Sequence, residues 1–272
     1  MTCFQGSSYY TPTTCLRFRP TKANKNTEAL LSANSDGTII QWNVTKGKQL
    51  AKVIEKNHQI LCLDYNVEGT SFVTAGRDFK IRVYDEETKE VTSVMEGDVY
   101  NNPGHSNRIF CVKYIPDHPY LLMSGGWDDS VFFWDVRDKK SCGSILGASI
   151  SGDSMDFHRG QILTGSYRSS EQLQLWDFGT KKLVKDIPYN QDNSGSSAMI
   201  YGAQFNKLNG GSFLAGSTGN NEVRIYENDG EYRPTGIVTN LVKGCYSVDY
   251  GNKSKIFTFG GGDGVIYVIQ QF

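Results

Sequence analysis

Apolar and polar positions along the chain recur as short strand-like runs separated by turn residues. Six octets share one pattern: DGTIIQWN at 36–43, DFKIRVYD at 78–85, DDSVFFWD at 128–135, SEQLQLWD at 170–177, NNEVRIYE at 220–227 and DGVIYVIQ at 263–270. Each opens on Asp, Asn or Ser, passes through alternating or continuous apolar residues, and mostly closes on an aromatic and an acid. A turn residue followed by a β-branched and aromatic run predicts a strand launched from a tight turn. The octets begin 42, 50, 42, 50 and 43 residues apart.

Further columns keep step with the octets. Upstream of each lies an apolar run ending in an aromatic (Phe18, Tyr65, Tyr114, Phe157, Phe205 and Tyr250). Two residues before those aromatics stand Leu16, Leu63, Val112, Met155, Ala203 and Val248. A third run separates the two columns: ALLSANS, SFVTAGR, LLMSGGW, QILTGSY, FLAGSTG and KIFTFGG. A fourth follows most octets, as in QLAKVIE after the first and KLVKDIP after the fourth. QLAKVIEKN at 49–57 could pass for a short helix, but its place in the period makes it an outer strand. Four strands in each period of 42–50 residues predict the blades of a β-propeller.

The third period, GHSNRIFCVKYIPDHPYLLMSGGWDDSVFFWDV, resembles the WD-repeat family closely. Gly104-His105 stands at its opening and Trp134-Asp135 at the strand exit, and the resemblance extends through all six periods. Elsewhere the pattern has drifted, with Tyr84 and Tyr226 in place of Trp, Ile269 in the last repeat and no second Gly-His pair. The resemblance implies one all-β propeller domain over residues 1–272; the family usually shows seven blades, but the six periods counted here favour six. The sixth octet ends at Gln270, leaving no chain for an outer strand, and the segment Thr2–Gly6 is expected to supply it by pairing around Val265–Ile269. That pairing would remove an open sheet edge. A seventh blade from a partner or from further sequence is the alternative.

The chain has 272 residues, enough for a sizeable core. Its 28 Lys and Arg nearly balance 29 Asp and Glu, which argues against a broad nucleic-acid footprint. No signal-like opening and no run of about 20 apolar residues is visible, so an intracellular, cytoplasmic protein without a membrane span is expected, nucleus and cilium remaining open. The six cysteines are scattered, with no CxxC pair, and no disulfide, metal or cofactor is expected. Cys15, Cys62 and Cys111 share a column with Ser154, Gly202 and Ser247, which reads as close packing of first strands. The next column, Arg17, Asp64, Lys113, Asp156, Gln204 and Asp249, reads as semi-buried pairing between neighbouring blades.

His105, Ser124, Asp128 and Trp134 could be mistaken for a catalytic constellation, yet no GxSxG elbow surrounds Ser124. In WD-repeat blades the matching positions form a buried hydrogen-bond chain, and the resemblance implies that role here. The Gly-rich turns are not followed by helices, so they are not phosphate cradles. No enzymatic activity is expected. Trp134-Asp135-Val136-Arg137 resembles the WDxR box of receptors in cullin-based ubiquitin ligases, where the Arg, here Arg137, meets the adaptor.

The resulting expectation is a scaffold that assembles a multiprotein complex by binding partner proteins or peptides on its loop face, a step made from fold by analogy. A substrate receptor of a cullin-type ligase is the alternative. The expected docking residues are Arg77, Trp127, Tyr167 and Arg168, from turns of three consecutive blades, with Tyr100 and Tyr189 from the long loops at 95–105 and 189–199. Trp, Tyr and Arg are the types enriched at binding hot spots.

Overall fold

The computed structural model describes residues 11–20, 28–98, 102–189, 198–252 and 255–270. They fall into two compact units, Met1–Ser144 and Ile145–Phe272.

The first unit carries three sheets. One comprises β1 (Thr13–Phe18), β2 (Ala29–Asn34), β3 (Thr38–Asn43) and β4 (Lys48–Ile54). The next comprises β5 (Ile60–Tyr65), β6 (Ser71–Gly76), β7 (Ile81–Asp85) and β8 (Val91–Met95). The third comprises β9 (Ile109–Ile115), β10 (His118–Gly126), β11 (Ser130–Asp135) and β12 (Lys140–Leu146), the last running on past Ser144.

The second unit repeats the plan. Its sheets are β13 (Met155–His158), β14 (Gln161–Gly165), β15 (Leu173–Asp177) and β16 (Leu183–Ile187), then β17 (Met199–Phe205), β18 (Ser212–Thr218), β19 (Val223–Glu227) and β20 (Pro234–Val238). The last comprises β21 (Cys245–Tyr250), β22 (Ile256–Gly261) and β23 (Ile266–Gln270), three strands among the described residues. The segment Thr2–Gly6, expected to complete this sheet, lies outside the described residues. No helix among the described residues is long and apolar enough to cross a membrane.

Each octet is the third strand of a sheet, and its opening turn has one geometry throughout. The second octet residue is left-handed in all six: Gly37, Phe79, Asp129, Glu171, Asn221 and Gly264, with φ between 51° and 83°. The preceding Asp often fixes the turn, Asp36 Oδ1 accepting the Thr38 N–H at 3.0 Å and Asp263 Oδ1 that of Val265 at 3.1 Å. Phe79 holds this conformation with a bulky side chain, which is unusual for anything but Gly, Asn or Asp.

The third strand is the best covered. β3 and β11 are buried along their whole length, whereas the fourth strands keep one face in water. β23 differs: its residues alternate between exposed and half-buried, with Ile266 and Val268 exposed.

Neighbouring sheets within each unit are tied at the columns legible in the sequence. Asp64 Oδ2 accepts the Tyr114 N–H at 2.9 Å, Asp156 Oδ2 that of Phe205 at 2.9 Å, and Gln204 Oε1 that of Tyr250 at 2.7 Å. Acceptors at this column therefore hold the backbone of the next sheet, and an ion pair, Arg17–Asp64 at 3.5 Å, adds to one of them. In the small-residue column the Cys15 thiol donates to Leu63 O at 3.5 Å and the Cys62 thiol to Ile109 O at 3.9 Å, each reaching the adjacent sheet.

Candidate functional site

The polar residues of the third sheet are joined in one line. Indole Nε1 of Trp134 donates to Ser124 Oγ at 2.8 Å, and Ser124 Oγ lies 2.7 Å from His105 Nε2. His105 Nδ1 lies 2.8 Å from Asp128 Oδ2, which also accepts the Ser106 N–H at 2.9 Å. The indole N–H can only donate, so Ser124 Oγ accepts from Trp134, and His105 joins that hydroxyl to the Asp128 carboxylate through its two ring nitrogens. Ser124 and the His105 side chain are fully buried, so no substrate can reach the hydroxyl. The line is a strut from the opening loop to the third strand. Gly104 precedes it because space is lacking: a Cβ there would stand 2.5 Å from the Gly97 backbone and 3.0 Å from the Trp134 ring.

Other sheets solve the same problem with other groups. Trp42 donates to Ser32 Oγ at 3.0 Å and Trp176 to Thr164 Oγ1 at 2.9 Å. In the second sheet Glu55 stands where a histidine would, accepting from Thr74 Oγ1 at 2.7 Å and from the Tyr84 hydroxyl at 2.9 Å. Arg82 bridges Glu55 at 3.3 Å and Asp78 at 2.5 Å, with the buried His58 ring between the two carboxylates. Sequence reasoning missed Glu55 because it follows the outer strand of the preceding sheet.

Tyr189 requires a correction. It was expected on the docking surface, but it is only 1% exposed. Its ring is packed in the core, its hydroxyl donates to Ala215 O at 3.2 Å and Ser217 Oγ at 3.1 Å, and Arg224 lies over the ring at 4.6 Å. Like Glu55 it follows an outer strand and plugs the next sheet. Tyr100 lies outside the described residues.

The remaining docking candidates are on turns. In the first unit Arg77 is exposed, and Trp127 is 44% exposed, lying against Phe110 with ring centroids 4.7 Å apart and Arg108 at 5.7 Å. Trp127 therefore leans on its own sheet yet presents nearly half its surface to water. In the second unit Tyr167 is exposed, but Arg168 is spent locally. Its guanidinium donates to Gly147 O, Glu171 O and Gln174 Oε1 and pairs with the Glu171 carboxylate.

Phe110 beside Trp127 in the first unit, and Tyr201 and Tyr246 beside Tyr167 in the second, were missed. They stand one residue ahead of the small-residue column, a position whose aromatic bias was the available signal. Arg137 binds Asp135 through two nitrogens at 3.0 and 2.6 Å and lies 4.7 Å from the ring centroid of exposed Tyr120, its side chain 63% exposed. Among the described residues no group of three or more His, Cys, Asp or Glu could hold a metal ion.

The buried charges make stability pH-dependent. Burial is the largest influence on Asp128 and pushes its carboxyl up, but His105 and the Ser106 N–H outweigh it and hold the group below the usual range. Asp78 is likewise pushed up by burial and brought lower by Arg82 and His58. Burial drives the His58 imidazole down, against the pull of Asp78 and Glu55. A group whose pKa is lower folded than unfolded contributes stability that disappears as pH falls. The thermal midpoint should therefore hold near neutral pH, sag below about 6.5 as the unfolded chain protonates His58, and drop steeply below about 4 as the carboxylates protonate. A midpoint rising between about pH 7 and 5 would contradict this assignment.

Six consecutive antiparallel sheets, each launching its third strand from a left-handed turn, define a six-bladed β-propeller, one sheet to a blade. The model of the WD domain, G-beta repeat, matches residues 47–85 and 98–135, so these two stretches are similar to WD repeats. Each match ends with the third strand of a sheet, β7 or β11.

Among curated relatives, the ribosome biogenesis protein YTM1 of Coprinopsis cinerea is 27% identical over 60% of this chain and 36% of its own length. The guanine nucleotide-binding protein subunit beta of Schizosaccharomyces pombe is 26% identical over 47% of this chain and 39% of its own. The chain thus spans well under half the length of these relatives. Among solved structures, that of U3-55K superposes with a TM-score of 0.79 at 16% identity, covering 97% of this chain and 79% of that one. A chain in the crystal structure of the mitotic checkpoint complex gives 0.80 at 14% identity, covering 98% and 76%. At such identity only the fold is shared.

Proposed function

We propose that the protein is a non-catalytic cytoplasmic scaffold that assembles a multiprotein complex by binding partner proteins on its turn face. The observation that carries this reading is Trp127, a large aromatic 44% exposed on a turn between two strands of a rigid sheet, backed by Phe110 and flanked by Arg108. A ring held in place before binding loses little rotamer freedom on contact, which is what makes aromatic anchors effective hot spots. Relatives named for ribosome biogenesis and as a subunit of a guanine nucleotide-binding protein support an assembly role. A ligase substrate receptor is the second reading, favoured by the exposure of Arg137 over Tyr120.

The test is affinity purification of the full chain beside Trp127→Ala, with quantitative identification of the co-purifying proteins. Loss of at least one partner by tenfold or more, with an unchanged melting curve, is the expected result. A variant that keeps every partner at wild-type level refutes the role of this surface.

A further inference from the structure

The second unit carries a continuous strip of three tyrosines, the outer two exposed and the middle one half-buried. Tyr167 lies on the turn after β14, Tyr201 in β17 and Tyr246 in β21, on three successive sheets. Their rings meet edge to face, Tyr167 to Tyr201 at 5.5 Å and 69°, Tyr201 to Tyr246 at 5.1 Å and 86°. Tyr167 is 41% exposed and Tyr246 48% exposed. At the Tyr246 end stands Lys243, exposed and without an ion pair among the described residues. Gly262 packs closely beside both, since a Cβ there would meet Lys243 Cβ at 3.2 Å and Tyr246 Cε2 at 3.3 Å.

This geometry selects among partners. Rings turned nearly perpendicular offer no series of parallel faces for stacked bases, and a chain of net charge −1 sets up no broad field for phosphates. Perpendicular rings instead form alternating ridges and grooves about 5 Å apart. A polyproline II segment rises about 3.1 Å per residue with three residues per turn, so one of its turns spans about two ring steps. Its carbonyls have no internal donors, and the strip offers tyrosine hydroxyls. Prolines lose little entropy when they settle between aromatic rings. The lone ammonium at one end calls for an acidic residue beside the prolines.

We propose that the strip Tyr167–Tyr201–Tyr246 binds a proline-rich segment of a partner protein, with an acidic residue of that segment against Lys243. This rests on the scaffold reading and adds the chemistry of one partner.

The test is fluorescence anisotropy of the full chain with a fluorescein-labelled peptide, Asp-Asp-Pro-Pro-Ala-Pro-Pro-Ala-Pro-Pro. Saturable binding is expected, weakened tenfold or more by Tyr201→Ala and by Tyr246→Ala. Tyr201→Phe, which keeps the ring, should retain most of the affinity and control for folding. Lys243→Glu should weaken this peptide and strengthen one carrying Lys-Lys in place of Asp-Asp. The proposal is overturned by absence of saturable binding, by indifference to Tyr246→Ala, by equal binding of a peptide with alanines for prolines, or by tighter tyrosine-dependent binding of oligouridylate. If it falls while Trp127→Ala still loses partners, the scaffold reading stands and only this partner chemistry is refuted.

Discussion

Replacing Trp134 with alanine should lower the unfolding free energy by about 3–5 kcal/mol, the range for deleting a large buried aromatic. Trp134 is completely buried among Val112, Leu122 and Phe132 in the core of the second and third sheets. Its loss opens a cavity and removes the indole donor at the head of the Ser124–His105–Asp128 line. Trp134→Phe separates the two effects, keeping most of the volume while deleting the N–H, and should cost about 1–2 kcal/mol. Urea unfolding followed by circular dichroism measures both, with the midpoint moving and the slope unchanged. A loss under about 1 kcal/mol for the alanine variant would mean that the site closes over the gap and that the strut carries little.

Glu55→Ala should cost about 3 kcal/mol, out of proportion to the size of the side chain. The carboxylate accepts from Thr74 and Tyr84 and faces Arg82 and His58, so its removal takes a partner from four polar groups at once. Arg82 keeps Asp78 and some solvent, which places the figure at the low end of the range for broken buried pairs. Glu55→Gln keeps an acceptor and should cost about half as much. The decisive comparison is the double variant Glu55→Ala with Tyr84→Phe. If the two residues act through their shared hydrogen bond, the combined loss falls short of the two single losses added together.

The sheets were legible because the strand period and the turn residues act locally: a turn-former, an alternating run and a small-residue column each impose their geometry wherever they fall. The left-handed second octet residue follows from the same turns, although Phe79 carries no sign of it in its own chemistry. Where side chains end up was harder to read. Tyr189 and Tyr246 are chemically identical, yet the first is in the core and the second in water. The difference arises because Tyr189 follows an outer strand and reaches Ser217 of the next sheet, a contact nearly thirty residues away that no local pattern encodes. Glu55 escaped notice for the same reason, since its partners belong to the sheet after its own. Tyr201 stood beside a column read for small size, and its neighbours gave the column its meaning while hiding the ring.

Among the described residues, each strand pairs only with strands adjacent to it in sequence. For an all-β protein this keeps the loops closed on folding short, and chains with local contacts cross their folding barrier faster than those built from distant pairings. It also suits synthesis on the ribosome. At about 5–20 residues per second a period of some 45 residues emerges within roughly 2–9 seconds, far longer than the microseconds a hairpin needs. Each blade can therefore zip together soon after its third strand clears the exit tunnel. The segments that reach into the following sheet, Glu55 and Tyr189 among them, are then already in place as the seat on which the next blade condenses.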